Sequence, residues 1–238
     1  MIGTRISIII GFLNKLRLSV TRYKLLLALP QAEFSKQIVK AIVKHIGADP
    51  EISFVDFPCG NGSISLRLAK YFPKSKFNCF DLDLDELNKL RQVNILKNIK
   101  VERRDIFEPL DLKANCWLII NSLFLLEDLS LVVNNIAPTK HVIVIYPNIK
   151  TNRYKKLIKQ KPNLNLHSLN SIEVENLFKA KGYKVVETSG INFVSDNISK
   201  TAWKLLKYIP ITERLMIIKG SPNYYLSLFS KLESPRVN

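Results

Sequence analysis

The segment Phe54-Val55-Asp56-Phe57-Pro58-Cys59-Gly60-Asn61-Gly62 contains the clearest structural signal in this chain of 238 residues. An apolar run over positions 52–57 stops at Pro58 and indicates a buried strand. After the two glycines, apolar residues follow at roughly helical spacing: Ile64, Leu66, Leu68 and Ala69. The segment therefore predicts a strand, a tight turn and a helix. Because Gly60 and Gly62 lack a Cβ atom, a ligand can lie against the backbone beside the N–H groups that open the helix.

A carboxylate that follows Gly62 by nineteen residues indicates a ligand of nucleotide type. A second short strand, Phe77 to Phe80, ends at Asp81, and a carboxylate at about 20 residues from the glycines can bind both ribose hydroxyls. Asp83 and Asp85 compete with Asp81 for this role.

The residues around the glycines distinguish two classes of nucleotide site. A dinucleotide fingerprint would need a third glycine where this chain has Ser65, and it would have no use for Asp56 before the turn. The order Asp-x-Gly/Pro-Cys-Gly-x-Gly instead resembles the loop that binds S-adenosylmethionine (SAM) in class I methyltransferases. SAM has a cationic methionine end and no pyrophosphate. The resemblance implies that the methionine end is held by Asp56, Pro58, Cys59, Gly60 and Gly62.

Later segments resemble the other motifs of this family, in the same order. Val101 to Ile106 is similar to the end of strand 3. Trp117 to Ile120, followed by Asn121-Ser122-Leu123, is similar to strand 4 with the turn beneath the methyl group. The resemblance implies ribose binding by Asp81 and a role for Asn121 beside the methionine end. It also implies the following contacts with adenine: Leu82 and Ile106 against the ring, and Asp105 at the amino group.

The resemblance extends over about 35–232 and implies a doubly wound α/β fold. Seven strands are expected, mostly parallel, with the last one antiparallel. His141 to Asn148 resembles strand 5, and Tyr224 to Lys231 resembles the final strand. We expect an N-terminal helical cap over 1–33, a SAM-binding domain over 34–232 with a helical insert at about 192–220, and a tail over 233–238.

Candidates for a general base are few. His167 resembles the His of a His-x-x-x-Ser/Thr segment before the strand 6 helix of relatives, and Tyr146 ends the predicted strand 5. Both are candidates for catalysis, although a helix-capping role for His167 is an alternative. His45, on an amphipathic helix, and His141, at the entry of strand 5, are expected to be structural. Relatives often carry a His soon after strand 4, where this chain has Leu125-Leu126-Glu127-Asp128.

Composition restricts the class of protein and its partners. The three cysteines have no metal or disulfide spacing, so we expect core thiols, no metal and a reducing, cytoplasmic compartment. We expect neither a signal peptide nor a run of about 20 apolar residues that could span a membrane. The net charge is +16, yet residues 51–150 hold thirteen basic and twelve acidic residues. The excess lies in the flanks and favours an anionic partner: RNA, an anionic membrane at the inner face, or an acidic small molecule. Simple solvation of helices by lysine is the alternative.

These observations favour a SAM-dependent methyltransferase that acts on an oxygen or carbon of a small, hydrophobic or anionic metabolite. Methyl transfer from a sulfonium mainly requires alignment and exclusion of water, with a base where the nucleophile is a hydroxyl. Two alternatives stay open: an RNA methyltransferase, and a SAM-binding or membrane-associated protein without activity.

Overall fold

The computed structural model describes residues 34–47, 51–94, 96–151, 154–155, 158–159, 169–191 and 224–232. The predicted cap over 1–33, the insert at about 192–220 and the tail over 233–238 lie outside the described residues. None of the helices within the described ranges is long and apolar enough to cross a membrane.

A seven-stranded sheet forms the centre of the molecule, in the order β3-β2-β1-β4-β5-β7-β6. Its strands are β1 (Ser53–Asp56), β2 (Lys76–Asp81), β3 (Ile99–Arg103), β4 (Cys116–Ile120), β5 (His141–Pro147), β6 (Tyr183–Ile191) and β7 (Tyr224–Lys231). The first five strands pair in parallel, whereas β7 is antiparallel to both of its neighbours. The predicted doubly wound fold with an antiparallel last strand is therefore confirmed.

Five described helices connect and cover the strands: α1 (34–46), α2 (Ser63–Tyr71), α3 (Leu84–Val93), α4 (Leu129–Asn135) and α5 (Ser171–Ala180). Side chains fix where three of them begin, and Asp128 caps α4 by accepting from Leu131 N–H. Asp83 caps α3 by accepting from two backbone N–H groups, and Asn170 forms a capping box with Glu173 at the start of α5. A short 3-10 turn (Leu123–Leu125) follows β4.

The central strands β4 and β5 are mainly apolar because helices cover both faces of the sheet. One face carries α1, α2 and Leu90 of α3 over a cluster that includes Phe54, Phe77 and Ile143. The other face carries α4 and α5 over a second cluster that contains Phe178 and Phe229. The lysines of α1 at positions 36, 40 and 44 are exposed, as its amphipathic pattern predicts.

Gly62 is required where α2 begins. Its φ is +65°, and a Cβ atom there would lie 2.6 Å from both Leu90 Cδ atoms, which are buried. The absence of a side chain at Gly62 therefore lets the start of α2 pack against α3.

Gly62→Ala is expected to destabilise the fold by about 2–4 kcal/mol, since a left-handed backbone and overpacking each cost roughly 1–3 kcal/mol. Gly47→Ala is the matched control, because φ there is +79° and, among the described residues, no atom would lie within 4 Å of an added Cβ. Urea unfolding should show the smaller loss for Gly47→Ala. Equal losses of stability in the two variants would mean that Leu90 moves away from the added methyl group at no cost in free energy.

Candidate functional site

The candidate site lies at the carboxyl ends of the parallel strands, where the strand order reverses between β1 and β4. In open α/β sheets, the loops on either side of such a reversal diverge and leave a crevice for a ligand. The turn after β1 and the turn after β4 both end at this crevice. The site is therefore built from Asp56, the loop over 57–62, and Asn121 with Ser122.

Backbone hydrogen bonds hold the loop after β1 against its neighbouring strands. Phe57 N–H donates to the Leu118 carbonyl (3.1 Å), and Cys59 N–H donates to the Phe80 carbonyl (2.8 Å). Gly60 has a φ of +52°, and within the described part of the chain nothing lies within 4 Å of the position its Cβ would take. Gly60 thus faces open space with its backbone in a conformation that glycine adopts readily.

Asp81 lies at the end of β2 and contacts this loop directly. Its Oδ2 accepts from Gly60 N–H (2.7 Å), and its Oδ1 accepts from Asp83 N–H (2.9 Å). Each carboxylate oxygen has a further lone pair that can accept from a hydroxyl. Asp83, in contrast, accepts from Asp85 N–H and Glu86 N–H as the cap of α3. Asp81 is therefore the competing carboxylate that contacts the glycine loop itself, whereas Asp83 belongs to the start of α3.

Asp56 is a buried carboxylate with only one oxygen in use among the described residues. It is 2% exposed, and its Oδ2 accepts from the Ser65 hydroxyl at 2.7 Å. Burial raises the pKa of Asp56 to about 7, and the nearby charge of Asp81 also raises it, while the Ser65 hydrogen bond lowers it.

Three buried oxygens at the crevice have no hydrogen-bond partner among the described residues: Asp56 Oδ1, Asn121 Oδ1 and Ser122 Oγ. They belong to the ends of the adjacent strands β1 and β4. Asn121 has a φ of +54°, uncommon for a residue other than glycine, and its N–H donates to the Ile145 carbonyl at 2.7 Å. Buried acceptors normally have partners, so each of these oxygens can accept from a donor that a ligand brings, as an ammonium does.

The residues expected around adenine lie at the ends of β2 and β3. Leu82 is 51% exposed beside Asp81, which is unusual for a large apolar side chain and leaves it free to pack on a ring. Asp105 is half-buried and its Oδ1 accepts from Phe107 N–H (3.0 Å). Ile106 is buried in the core cluster beneath. Asp105 and Leu82 are therefore accessible, whereas Ile106 supports the site from below.

The loop cysteine is not an activated nucleophile. Contact with Cys79, burial and the nearby carboxylates raise the pKa of the Cys59 thiol far above its usual range. Cys79 and Cys116 are buried, and all three thiols are free. No group of three or more metal-ligating side chains that could hold a metal ion occurs within the described ranges. Pro58, half-buried, follows Phe57 through a cis peptide bond.

Of the two candidates for catalysis, Tyr146 lies in the described part of the chain and His167 does not. Tyr146 is fully buried in the sheet, and its hydroxyl lies 3.1 Å from Ser227 Oγ. Its hydroxyl therefore has a partner in the core. Burial raises the pKa of Tyr146, which makes this hydroxyl a weaker acid than that of an exposed tyrosine. His167 lies outside the described residues. Their roles in catalysis stay predictions.

The other histidines pack at the opposite end of the sheet. The rings of His45 and His141 lie edge to face with centroids 5.2 Å apart, and Ser230 Oγ lies 3.2 Å from His141 Nδ1. Burial lowers the pKa of both, that of His141 to about 4. These positions agree with structural roles.

Two residues of the site are not found by reading the sequence alone. In the sequence, Ser65 stands where a dinucleotide fingerprint would have a third glycine, and Ser122 is notable only as the neighbour of Asn121. The one available signal for Ser65 is its place in the first turn of α2, where a polar side chain can reach the end of β1.

Comparison with known proteins supports the fold. No protein-family model matches the chain. A ribosomal RNA large subunit methyltransferase G from Vibrio cholerae serotype O1 is 44% identical over 41 residues, which is 17% of this chain and only 11% of that protein. The match thus spans about a tenth of that relative's length.

Solved structures match over most of the chain at low identity. The magnesium protoporphyrin IX methyltransferase from Synechocystis PCC 6803, with bound SAH, is 12% identical with a TM-score of 0.61, covering 86% of this chain and 84% of that one. A putative sarcosine dimethylglycine methyltransferase from Galdieria sulphuraria is 14% identical with a TM-score of 0.60, covering 83% and 84%.

A third structure is geranyl diphosphate C-methyltransferase from Streptomyces coelicolor A3(2) in complex with Mg²⁺, geranyl diphosphate and S-adenosyl-L-homocysteine. It is 13% identical with a TM-score of 0.58, covering 83% of this chain and 80% of that one. These matches agree with the seven-stranded, mostly parallel sheet. The chain has the Rossmann-like fold of the class I SAM-dependent methyltransferases.

Proposed function

We propose that this protein is a SAM-dependent methyltransferase. The observation that carries the proposal is that three buried oxygens, those of Asp56, Asn121 and Ser122, have no partner among the described residues and belong to the ends of β1 and β4, at the edge of the sheet that also carries the open position at Gly60. SAM brings an ammonium and a sulfonium, which suit such acceptors. The structures with the same fold that contain SAM or SAH also support this choice of cofactor.

Each residue at the crevice has a distinct part in this proposal. Asp56 and Asn121 hold the cationic methionine end, and Gly60 lets it lie close to the backbone. Asp81 accepts from the ribose hydroxyls, and Leu82 packs on the adenine with Asp105 at the amino group. When bound, SAM supplies a methyl group on a sulfonium, which is a good leaving group. The residues of the chain therefore act mainly by fixing orientation and excluding water.

We infer that the acceptor is a small molecule with an apolar part, methylated at oxygen or carbon. Aromatic side chains support this, since they line the carboxyl edge of the sheet beyond Asn121. Phe34 lies against Tyr224 with ring centroids 4.6 Å apart, and Phe124 lies against Tyr154 at 6.3 Å. Proteins of the same fold include a porphyrin methyltransferase and a geranyl diphosphate methyltransferase.

RNA is the second candidate acceptor. The partial identity to a ribosomal RNA methyltransferase and the net charge of +16 favour it. Acidic side chains around the described site, among them Asp81, Asp83 and Asp105, disfavour a polyanion close to the cofactor. A protein that binds SAM without transfer is the third possibility to be tested.

Calorimetric titration of the full chain with SAM, and separately with NADH, tests the class of site. We expect micromolar affinity for SAM and no binding of NADH. Transfer of a labelled methyl group from SAM to pools of phenolic, lipidic, anionic and RNA acceptors then tests the activity. Absence of SAM binding would contradict the cofactor assignment, and binding without transfer to any pool would favour the inactive alternative.

A further inference from the structure

Lysines are concentrated along one edge of the sheet, at the amino ends of its parallel strands. The following six are exposed there: Lys74 and Lys76 at β2, Lys97 before β3, Lys113 before β4, Lys140 before β5 and Lys184 in β6. Glu51 before β1 and Asp111 before β4 carry the opposite charge. Strands lie about 4.8 Å apart, so these lysines are distributed over roughly 30 Å. We call this set of six the basic edge.

The lysines of the basic edge make no ion pair with any other described residue. No carboxylate in the described part of the chain lies within 4.0 Å of any of the six, whereas Lys89, Lys100 and Lys179 elsewhere are each paired with a glutamate. Their charges are therefore available to a partner rather than compensated within the described part of the fold.

The charge has the opposite sign at the carboxyl edge. Acidic residues follow β1 to β4 there: Asp56, Asp81, Asp83, Asp105, Glu127 and Asp128. Basic residues of this edge include Arg103 and Arg104 at the end of β3 and Lys150 after β5, and Arg104 is paired with Glu102. The described part of the molecule is thus polarised, and a polyanion is attracted to the edge that lies farthest from the candidate cofactor site.

A groove at one end of the basic edge gives it a shape as well as a charge. It has a volume of about 890 Å³ and is lined by Lys140, Lys184 and Lys231, by the polar residues Asn115, Thr139 and Ser230, and by four apolar residues. Lys231 is held in place, because its ammonium donates to the Lys181 carbonyl (2.7 Å) and lies over the Tyr183 ring. Ammonium, amide and hydroxyl groups in a groove are suited to phosphate oxygens.

An exposed aromatic ring lies towards the other end of the basic edge. Tyr71 ends α2, between Lys70 and Lys74, and is 65% exposed. An unpaired base can stack on such a ring while lysines contact the adjacent phosphates. A groove accepts a flexible chain, whereas a lipid surface contacts only protruding groups, so shape favours a nucleic acid over a membrane.

We propose that the basic edge binds the phosphate backbone of a single-stranded nucleic acid, with a base stacked on Tyr71. Phosphate contacts carry no sequence information, so binding is independent of sequence. The length of β5 sets the two edges of the sheet about 20 Å apart. A nucleic acid bound at the basic edge therefore anchors the protein without placing a base at the methyl group. The surface is independent of the proposed methyltransferase activity.

Fluorescence anisotropy of a labelled oligouridylate of about 20 nucleotides, titrated with the full chain at several salt concentrations, tests this proposal. The edge variant is Lys74→Gln/Lys113→Gln/Lys140→Gln/Lys184→Gln. The matched control, Lys40→Gln/Lys150→Gln/Lys155→Gln/Lys159→Gln, removes four charges from exposed lysines away from the basic edge.

We expect the edge variant to bind about tenfold or more weakly, with a salt slope reduced by about 3, since each phosphate contact contributes about 0.7. The control should stay within about threefold of the unaltered protein, and Tyr71→Ala should weaken binding by about fivefold or more. Unchanged affinity for SAM in all variants would show that the fold is intact and that the two sites are separate. Should the quadruple variant not fold, the pairs Lys74→Gln/Lys113→Gln and Lys140→Gln/Lys184→Gln give the same test.

Three results would overturn the proposal. The first is no binding of oligouridylate by the unaltered chain, and the second is an equal loss in the edge variant and the control. The third is loss of binding to phosphatidylserine vesicles in the edge variant while its affinity for oligouridylate is unchanged, which would make the basic edge a membrane surface.

Discussion

Replacing Asp81 with Ala is expected to weaken SAM binding by about a hundredfold or more. The carboxylate lies at the end of β2, and its two oxygens can each accept from a ribose hydroxyl beside the bonds they make to Gly60 N–H and Asp83 N–H. Hydrogen bonds to a charged group contribute roughly 1.5–3 kcal/mol each, and each 1.4 kcal/mol changes an affinity tenfold. Loss of the Gly60 contact also loosens the loop that faces the methionine end. Calorimetric titration with SAM measures the change.

Asp83→Ala is the matched control for this substitution. It removes a carboxylate only two residues away that caps α3 by accepting from Asp85 N–H and Glu86 N–H. We expect it to cost about 1 kcal/mol of stability and to leave the affinity for SAM within about threefold. The reverse pattern, with affinity kept in Asp81→Ala and lost in Asp83→Ala, would place the ribose two residues farther along the chain.

The fold could be predicted from the sequence because its strands carry local signals. The apolar runs of β1, β4 and β5 are long enough to indicate strands buried on both faces, and the glycine turn marks the first crossover. Choosing between Asp81 and Asp83 is harder, since both follow the same strand. The structure favours Asp81 because it accepts from Gly60 N–H in the glycine loop, whereas Asp83 caps α3, and both facts depend on where these elements begin.

The interior of the site depends on contacts between distant elements and could not be predicted in the same way. The bond between Ser65 and Asp56 joins α2 to β1, and the burial that raises the pKa of Asp56 results from the whole fold around it. The sequence suggests Tyr146 as a candidate for catalysis, but it lies on the same face of β5 as Val142 and Val144 and so packs in the buried cluster.

The distribution of charge between the two edges of the sheet also depends on the fold and could not be predicted from the order of residues. Counting along the sequence places the excess of basic residues in the flanks and finds the middle of the chain almost neutral. The fold separates the charges of that middle part in space, because the amino ends of parallel strands meet at one edge and their carboxyl ends at the other. A nearly neutral segment therefore forms one basic edge and one acidic edge.

The affinity for SAM is expected to rise with pH up to about 7, by as much as tenfold for each pH unit. In the protein without cofactor, burial holds the pKa of Asp56 at about 7, so its carboxyl group is largely protonated at pH 6. A cation beside Asp56 favours the ionised form and lowers its pKa, so binding releases a proton below pH 7. Titrations between pH 5.5 and 7.5, in two buffers of different ionisation enthalpy, measure both the affinity and the proton release. This pH range lies below the ordinary pKa of an α-amino group, so titration of the amino group of SAM does not account for the expected rise in affinity.

The carboxyl group of Asp56 also makes the protein without cofactor less stable as the pH rises. A carboxyl group with a raised pKa contributes stability that is fully present below its ordinary pKa of 3.8 and is lost as pH rises through about 7. At about 1.4 kcal/mol per pKa unit, this loss amounts to roughly 4 kcal/mol at most. Bound SAM should restore much of it, so its stabilising effect in thermal unfolding should be larger at pH 7.5 than at pH 5.5.

Asp56→Asn separates this charge from the shape of the site. The amide keeps the size of the side chain and can still accept from Ser65, but it cannot ionise. We expect it to weaken SAM binding by about a hundredfold at pH 7.5, to remove the pH dependence, and to make the protein without cofactor more stable at that pH.

Ser65→Ala provides the opposite test: losing its hydrogen bond raises the pKa of Asp56 further and moves the midpoint of the affinity curve to higher pH. An affinity for SAM that does not change with pH in the unaltered protein would mean that Asp56 does not face the cation, and Asn121 and Ser122 would then be its principal contacts.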